Sequence, residues 1–474
     1  MQNYILALMN SKISMRFLEF LAPTLDFNIG PLSKIPVVFS DKYKAKINSI
    51  AITCIEISKE DWDSFETSWD FTRHPLCPSI KDIYERNSCR VNGKELENAS
   101  KIAWNFERWR RKCEDRFNRI KACEEDINRI FIDIYGLQDE LTPEENDEDV
   151  TVKKADLTRD IKSFISYAVG CMFGRYSIDR DGLIFADSSQ KFDDIYWKYK
   201  GQAPCRQNGE LTEGSGYAGI SLAPYHYPKF RDSDNYETAH DLLFEPDVDN
   251  IIPITDEEYF NDDIVGRFVL FVKTIYGDKY IEENLTFIAN ALGNKGKSSR
   301  DVIRKYFLND FFKDHCQNYS VTGSGKRPIY WLYDSGKQNG FKALIYMHRM
   351  DENTTGKVRA DYLHRMEQIY NNEVARMQDV IDHSNSAHEV SVAEKRMDKL
   401  KKQIKECQEY DAKLGHLALD QIKINLDDGV KVNYRKVQTG RDGKFYEVLA
   451  DSKNIMANDA LWKEYLTEWP HEDE

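Results

Sequence analysis

Three features of this 474-residue sequence predict a mixed α+β fold rich in helix. Apolar residues recur at three- and four-residue spacing over 113–134, 358–381 and 397–419, the period of helices with one buried face. Short aromatic and β-branched runs, at 35–39 and 329–332, have the composition of brief strands. Glycines between 170 and 219 break the remaining sequence into loops. A hydrophobic content of 41% with 12% aromatics excludes wholesale disorder, and the length accommodates roughly two to four domains. The formal charge of −14 excludes a surface that embraces a polyanion everywhere, so any such contact must be local. Nine scattered cysteines without a CxxC pair argue for free thiols in a reducing cytoplasm. His74, Cys77 and Cys89 lack a fourth ligand at a usual spacing, so no metal site is expected. The most apolar run, 264–275, is broken by Arg267 and Lys273, and neither a membrane span nor a signal peptide is legible.

Taken in order, residues 1–40 open with an amphipathic helix carrying Ile5, Leu6, Met9, Ile13, Phe17 and Leu18. Prolines then break the chain into extended pieces ending in a strand at 35–39. Residues 41–145 form a helical spacer. In it, Ser58 to Asp61 start a helix whose Trp62, Phe65, Trp69 and Phe71 enter the core. From Asn98 a long helix carries a heptad-like seam of Cys113, Phe117, Ile120, Ile127, Phe131 and Ile134 and stops at Gly136 and Pro143. Residues 100–121 hold eight Lys/Arg against three acids, largely off that seam. Arg108, Arg111 and Lys112 therefore read either as phosphate contacts or as a solvated face.

A loop-rich α/β region, 146–277, follows an acidic linker. Its helix carries Ile161, Phe164, Ile165, Ala168 and Val169. Tyr217, Tyr225, His226 and Tyr227 stand in glycine-punctuated loops of the kind that read bases or simply decorate an irregular domain. Residues 232–263 hold twelve acids and no Lys or Arg, which suits docking within the protein or solubility.

Helices and a central unit make up residues 278–355. The run 291–298, ALGNKGKS, satisfies a relaxed phosphate-loop pattern. Its lead-in, with Ile281, Leu285, Ile288 and Leu292, is helical rather than a strand, so the run joins two helices. Lys295, Lys297 and Arg300 remain candidates for a nucleic-acid backbone. In 327–349 a strand leads through the turn Asp334-Ser335-Gly336 into a helix with Phe341, Leu344, Ile345 and His348 on one stripe. Lys326, Arg327, Lys337, Lys342 and Arg349 surround this unit against one acid, Asp334, as a polyanion site or as ordinary solvated cations around a core. Residues 356–424 form a helical hairpin, and 425–474 a tail in which Asp427-Asp428-Gly429 marks a turn.

Several stretches resemble one family. ALMNSK (7–12), LSKIPV (32–37), INRIFIDIYGLQDELTPE (127–144), the acidic tract 244–268, RPIYWLYDSGKQNGFKALIYMHR (327–349) and IKINLDDGVKVNYRKV (422–437) look like segments of the PglX-type adenine-specific DNA methyltransferases. These belong to BREX phage-defence systems and are relatives of the fused type IIG restriction-modification enzymes. The resemblance implies target-recognition-type α/β domains joined by long helices. Residues 1–40 would close one such domain, and the hairpin would be like the spacer helices of specificity subunits. It also implies double-stranded DNA as a partner and S-adenosylmethionine as the cofactor of the complete enzyme.

The chemistry of that enzyme is missing. Adenine N6 transfer uses an Asn/Asp-Pro-Pro-Tyr/Phe motif to hold a flipped base, and none of the thirteen prolines here is adjacent to another. No glycine-rich turn follows a hydrophobic strand, so no Rossmann-like methyltransferase domain, no cofactor in this chain and no catalytic residue are expected. The resemblance thus points to the C-terminal portion of such an enzyme, which needs a catalytic domain in trans. The competing expectation is a silent module docking defence-system partners or phage inhibitors.

Overall fold

The computed structural model of the chain describes residues 1–22, 29–87, 94–186, 205–207, 210–212, 242–321 and 325–468. Two compact units emerge: Met1–Leu76 with Ala103–Asp160, and Cys77–Ile102 with Ile161–Glu474.

The first unit is helical. It contains α1 (Gln2–Met9), α2 (Lys12–Leu21), α3 (Asp41–Trp62) and most of α4 (Ile102–Tyr135). The seam of α4 is buried as its spacing predicts, from Cys113 through Phe117, Ile120 and Ile127 to Phe131. The helix ends where Gly136 takes a left-handed φ of 67°, a conformation that costs glycine nothing. Tyr4, Ala7, Leu8, Ile13, Ile47 and Ala51 pack against the C-terminal half of α4.

Three expectations fail here. The single N-terminal helix is two: Ser11 and Ser14 hydroxyls both donate to the Leu8 carbonyl, and Asn128 accepts from the Lys12 amide, so the break at Asn10–Ser11 is fully hydrogen-bonded. The break turns Tyr4, Ala7 and Leu8 inward and leaves Ile5 and Leu6 exposed. Ser58 to Asp61 are the last turn of α3, not a helix start, and of the aromatics that follow only Phe71 is buried, whereas Trp69 is 91% exposed. Residues 36–40 carry no regular secondary structure and pair with no strand among the described residues.

The second unit is built on a three-stranded antiparallel sheet. It comprises α5 (Leu157–Met172, from Ile161 on), β1 (Ile252–Pro253), α6 (Ile264–Tyr276), α7 (Ile281–Ala291), α8 (Ser299–Asn309), α9 (Phe311–Asn318), β2 (Tyr330–Asp334) and β3 (Lys342–Tyr346). Strand order is β1–β3–β2, with Ile252 and Leu332 both opposite Leu344 and Asp334 opposite Lys342. The expected strand-turn-helix unit is therefore a β-hairpin. Phe341 to Tyr346 are all buried, because β3 is the central strand with both faces covered. A continuous apolar run matches a helical period as well as a strand period, which explains the misassignment.

Two long helices, α10 (His364–His383) and α11 (Ala387–Asp420), form the expected hairpin. Met366, Tyr370 and Met377 are buried on one helix and Met397, Leu400, Cys407, Leu414 and Leu417 on the other. Leu419, assigned to that stripe, is 85% exposed. The 291–298 run is the helix-to-helix connection expected, with the Ser298 hydroxyl capping α8 at the Asp301 amide. Residues 232–241 of the acidic tract lie outside the described residues, and the part from 242 on folds against cations of its own unit. Asp263 pairs with Arg304, Asp247 with Arg267 at 3.5 Å, Glu257 with Arg396 at 3.1 Å, and Asp256 with Arg396 and Lys399. Tyr217, Tyr225, His226, Tyr227 and Cys89 lie outside the described residues.

Candidate nucleic-acid interface

The cations singled out from the sequence divide into those engaged by the fold and those left to solvent. Lys342 is buried in β3, 3.2 Å from the Asp334 carboxylate, and donates to the Leu308 carbonyl at 3.1 Å. Burial raises the Asp334 pKa, against the Lys342 charge that lowers it. Arg349 donates to the carbonyls of Phe173 at 3.2 Å and Val248 at 3.0 Å, tying two loops to the end of β3. Both side chains are thus engaged by the fold rather than left to solvent. Lys326 pairs with Asp451 at 2.6 Å. Arg300 forks onto Glu282 at 2.7 and 2.9 Å, Arg111 sits 3.1 Å from Glu107, and Lys112 2.6 Å from Glu60. These four remain partly exposed, with their charge balanced locally.

Arg327, Lys337, Lys295 and Lys297 are exposed and make no side-chain ion pair among the described residues. Arg108 lies over the Trp104 ring at 5.3 Å. The continuous basic rim expected around residues 327–349 does not form. Arg327 precedes β2, whereas Lys337 sits in the turn after it, a separation of about 15 Å for a five-residue strand.

That turn is held on α11. Glu406 accepts from the Ser335 hydroxyl at 2.8 Å, the Gln338 amide at 2.8 Å and the Gly340 amide at 2.9 Å, and the Gln403 amide nitrogen donates to the Gln338 and Asn339 carbonyls. Gly336 (φ 137°) and Asn339 (φ 52°) take left-handed conformations that close it. Docking places Lys337 beside a helix face that sequence reasoning passed over. Lys395, Lys399 and Lys402, spaced at i, i+4 and i+7, share the side of α11 that carries Glu406. Lys399 is engaged by Asp256; burial works against ionisation of that carboxyl, yet Lys399 and Arg396 hold it below the usual range. Lys395 and Lys402 are exposed without an ion pair among the described residues. The signal was present as lysines off the Met397-Leu400-Ile404 stripe; what was missing was the turn that brings Lys337 to them.

In the first unit, a cavity of about 670 Å³ beside Arg108 and Lys112 is lined by four acids and four bases, a balance that does not select a polyanion. No group of three or more His, Cys, Asp or Glu is arranged to hold a metal among the described residues. His74 and His315 are core histidines, their pKa pushed down to about 3 by burial, so they pack as neutral rings. No described helix is long and apolar enough to cross a membrane.

What the fold and this surface define is a helix-rich α+β protein with lysines free of ion pairs among the described residues in the β2–β3 turn and along one face of the helix that holds it. An adenine-specific methyltransferase named PglX, from Lacticaseibacillus casei strain Zhang, is 39% identical over 438 residues, covering 92% of this chain and 31% of that protein. BrxX, an adenine-specific methyltransferase from Escherichia coli O9:H4 strain HS, is 32% identical over 477 aligned positions, 96% of this chain and 33% of its own length. No family model matches. The chain is thus a relative of the BREX PglX-type adenine-specific methyltransferases along nearly its whole length, and it spans about a third of the length of the curated relatives it matches.

Proposed function

We propose that this chain is the DNA-recognition, C-terminal part of a site-specific adenine N6 methyltransferase of a phage-defence system. It directs methylation only with a catalytic portion supplied in trans. Kinship with two adenine-specific methyltransferases supports the enzyme class. The observation that carries DNA contact is a set of exposed lysines without an ion pair among the described residues, Lys337 in the β2–β3 turn, Lys402 one turn from the residue that holds that turn, and Lys395 two turns further along the same face of α11, in a chain whose net charge is −14. In such a chain an unpaired cationic patch is where a phosphate backbone gains most. Docking of outside partners through the acidic tract is the weaker alternative, because Arg267, Arg304, Arg396 and Lys399 already engage that tract. S-adenosylmethionine would be held by the catalytic portion; the glycine-rich turn that binds it has no counterpart here, and no step is assigned to it.

The test is electrophoretic mobility shift on double-stranded DNA at several salt concentrations, with labelled S-adenosylmethionine incorporation measured in parallel. Salt-dependent binding and no incorporation by the chain alone are expected. Absent or salt-insensitive binding overturns DNA recognition, and robust incorporation overturns the need for a catalytic partner.

A further inference from the structure

Among the described residues of 1–39, ten large apolar side chains are exposed, Phe20 and Ile29 among them, so this part of the first unit carries an unusually apolar surface. Part of it is the stretch the sequence predicts as a strand. Residues 36–40 lie outside helix and turn, Ser40 is extended, and two tyrosines pin the segment along one side at alternate residues, the pattern of extended backbone. The Tyr135 hydroxyl donates to the Pro36 carbonyl and accepts from the Val38 amide, and the Tyr4 hydroxyl donates to the Val38 carbonyl and accepts from the Ser40 amide. Tyr4 also packs on the Phe39 ring at 5.2 Å. These four bonds use the even-numbered residues only. In extended backbone the odd-numbered amides and carbonyls point the other way. Those of Val37 and Phe39 have no hydrogen-bond partner among the described residues. Val37, Val38 and Phe39 are 42%, 42% and 53% exposed. The segment has the properties of a sheet edge before its neighbour arrives: correct composition, fixed extended backbone, one free hydrogen-bonding side and apolar side chains in water.

We propose that Val37–Phe39 is a docking edge for a β-strand contributed by the part of a PglX-type polypeptide that this chain does not contain. This rests on the proposed reading of the chain as one part of a larger methyltransferase, and it adds the surface through which the parts join. The curated relatives carry about two thirds of their length outside the region matched here, ample sequence to supply such a strand. Among the described residues of its unit, this chain has no strand to offer. The incoming strand would be apolar and β-branched, matching Val37 and Val38.

The experiment co-expresses the full chain, tagged, with the two thirds of the Lacticaseibacillus casei relative that it does not match, and measures co-purification and amide hydrogen exchange. A stoichiometric complex is expected, with Val37 and Phe39 amides that exchange rapidly in the chain alone and at least 100-fold more slowly in the complex. Val37→Pro removes an outward amide that makes no bond within the chain, so its thermal melt should match the parent while co-purification falls at least tenfold; Val37→Thr should behave as the parent. Absence of a complex, a complex indifferent to Val37→Pro, or unprotected amides would overturn the proposal. So would a dimer of the chain alone that Val37→Pro abolishes, since the edge would then serve a second copy. Mobility shift with the chain alone separates the two ideas: loss of docking leaves DNA binding intact, whereas failure of DNA binding leaves the complex intact.

Discussion

Lys342 offers the sharpest separation between a cation that serves the fold and one that serves a partner. Replacing it with Met leaves the Asp334 carboxylate, only 21% exposed, without its 3.2 Å counter-charge, and the Leu308 carbonyl without its donor. Breaking a buried ion pair costs about 3–5 kcal/mol. Asp334 keeps the Gly336 amide at 3.0 Å and some contact with water, so a loss of about 2–4 kcal/mol is expected, a large fraction of a typical folding free energy. The loss should be smallest at low pH, where the Asp334 carboxyl is protonated, and should grow as pH rises through its elevated pKa. The double variant Lys342→Met with Asp334→Leu should recover most of it, since removing both partners leaves no buried charge. Urea unfolding followed by tryptophan fluorescence measures all three proteins. If Lys342→Met unfolds like the parent while the slope of log K against log salt for DNA falls by about 0.9, then Lys342 is a phosphate contact and its structural assignment is refuted.

Other perturbations test the rest of the assembly. Glu406→Ala removes a carboxylate that accepts three bonds from the β2–β3 turn, and hydrogen bonds to charged acceptors are worth about 1.5–3 kcal/mol each before relaxation. A destabilisation of about 2–4 kcal/mol by urea unfolding, with faster amide exchange at Gln338 and Gly340, is expected; unchanged exchange would mean the turn does not depend on α11. His315 accepts from the Ile329 and Tyr330 amides at 3.0 Å, and burial, aided by the Arg175 charge, depresses its pKa to about 3. A base depressed on folding contributes stability that is complete above the unfolded pKa near 6.5 and is lost as pH falls, by about 1.4 kcal/mol per unit. His315→Gln keeps an acceptor and cannot take up a proton, so its pH–stability curve between 6 and 4.5 should be shallower than the parent's by that amount; parallel curves would refute a neutral buried ring.

The helical part of the fold was legible because amphipathic helices write their period into the sequence over many turns. The seam of α4 and the stripe of α11 each extend over three or more turns with most of their residues buried, whereas on α10 Met366 and Met377 are buried and Ile369, Val374 and Ile381 only half-buried. The exceptions have physical causes. β3 lies between two strands with both faces covered, so it shows no alternation, and five buried residues in a row satisfy a helical stripe by accident. Trp69, 91% exposed, was assigned to the core on hydrophobicity alone, yet nothing in a sequence says where a chain runs out of neighbours. The site was less legible than the fold, because the partners that neutralise its cations are remote in sequence. Lys326 meets Asp451 and Lys112 meets Glu60, while the carbonyls that hold Lys342 and Arg349 belong to Leu308 and Phe173; no local count of charge anticipates these contacts.

Sorting cations by their partners also fixes how strongly the chain alone can depend on salt. If Lys337, Lys395 and Lys402 each neutralise one phosphate, the slope of log K against log salt is about −2.7, and raising salt from 50 to 200 mM weakens binding by about 40-fold. If Arg327, Lys295 and Lys297 lie on the same DNA face, the slope doubles to about −5.4 and the loss approaches 2,000-fold. The first value is expected, because Arg327 stands at the far end of β2 from Lys337 and the 295–297 loop is on a separate helix connection. Replacing Lys337, Lys395 and Lys402 together by Ala should then abolish the salt dependence while leaving the melting temperature in place. A residual slope near −2.7 in that triple variant would show that the second group of cations binds DNA as well. A slope that shallow in the parent is far below the 6–10 phosphate contacts common for site-specific proteins. The affinity needed to find one site would then have to come from the polypeptide that docks beside this chain.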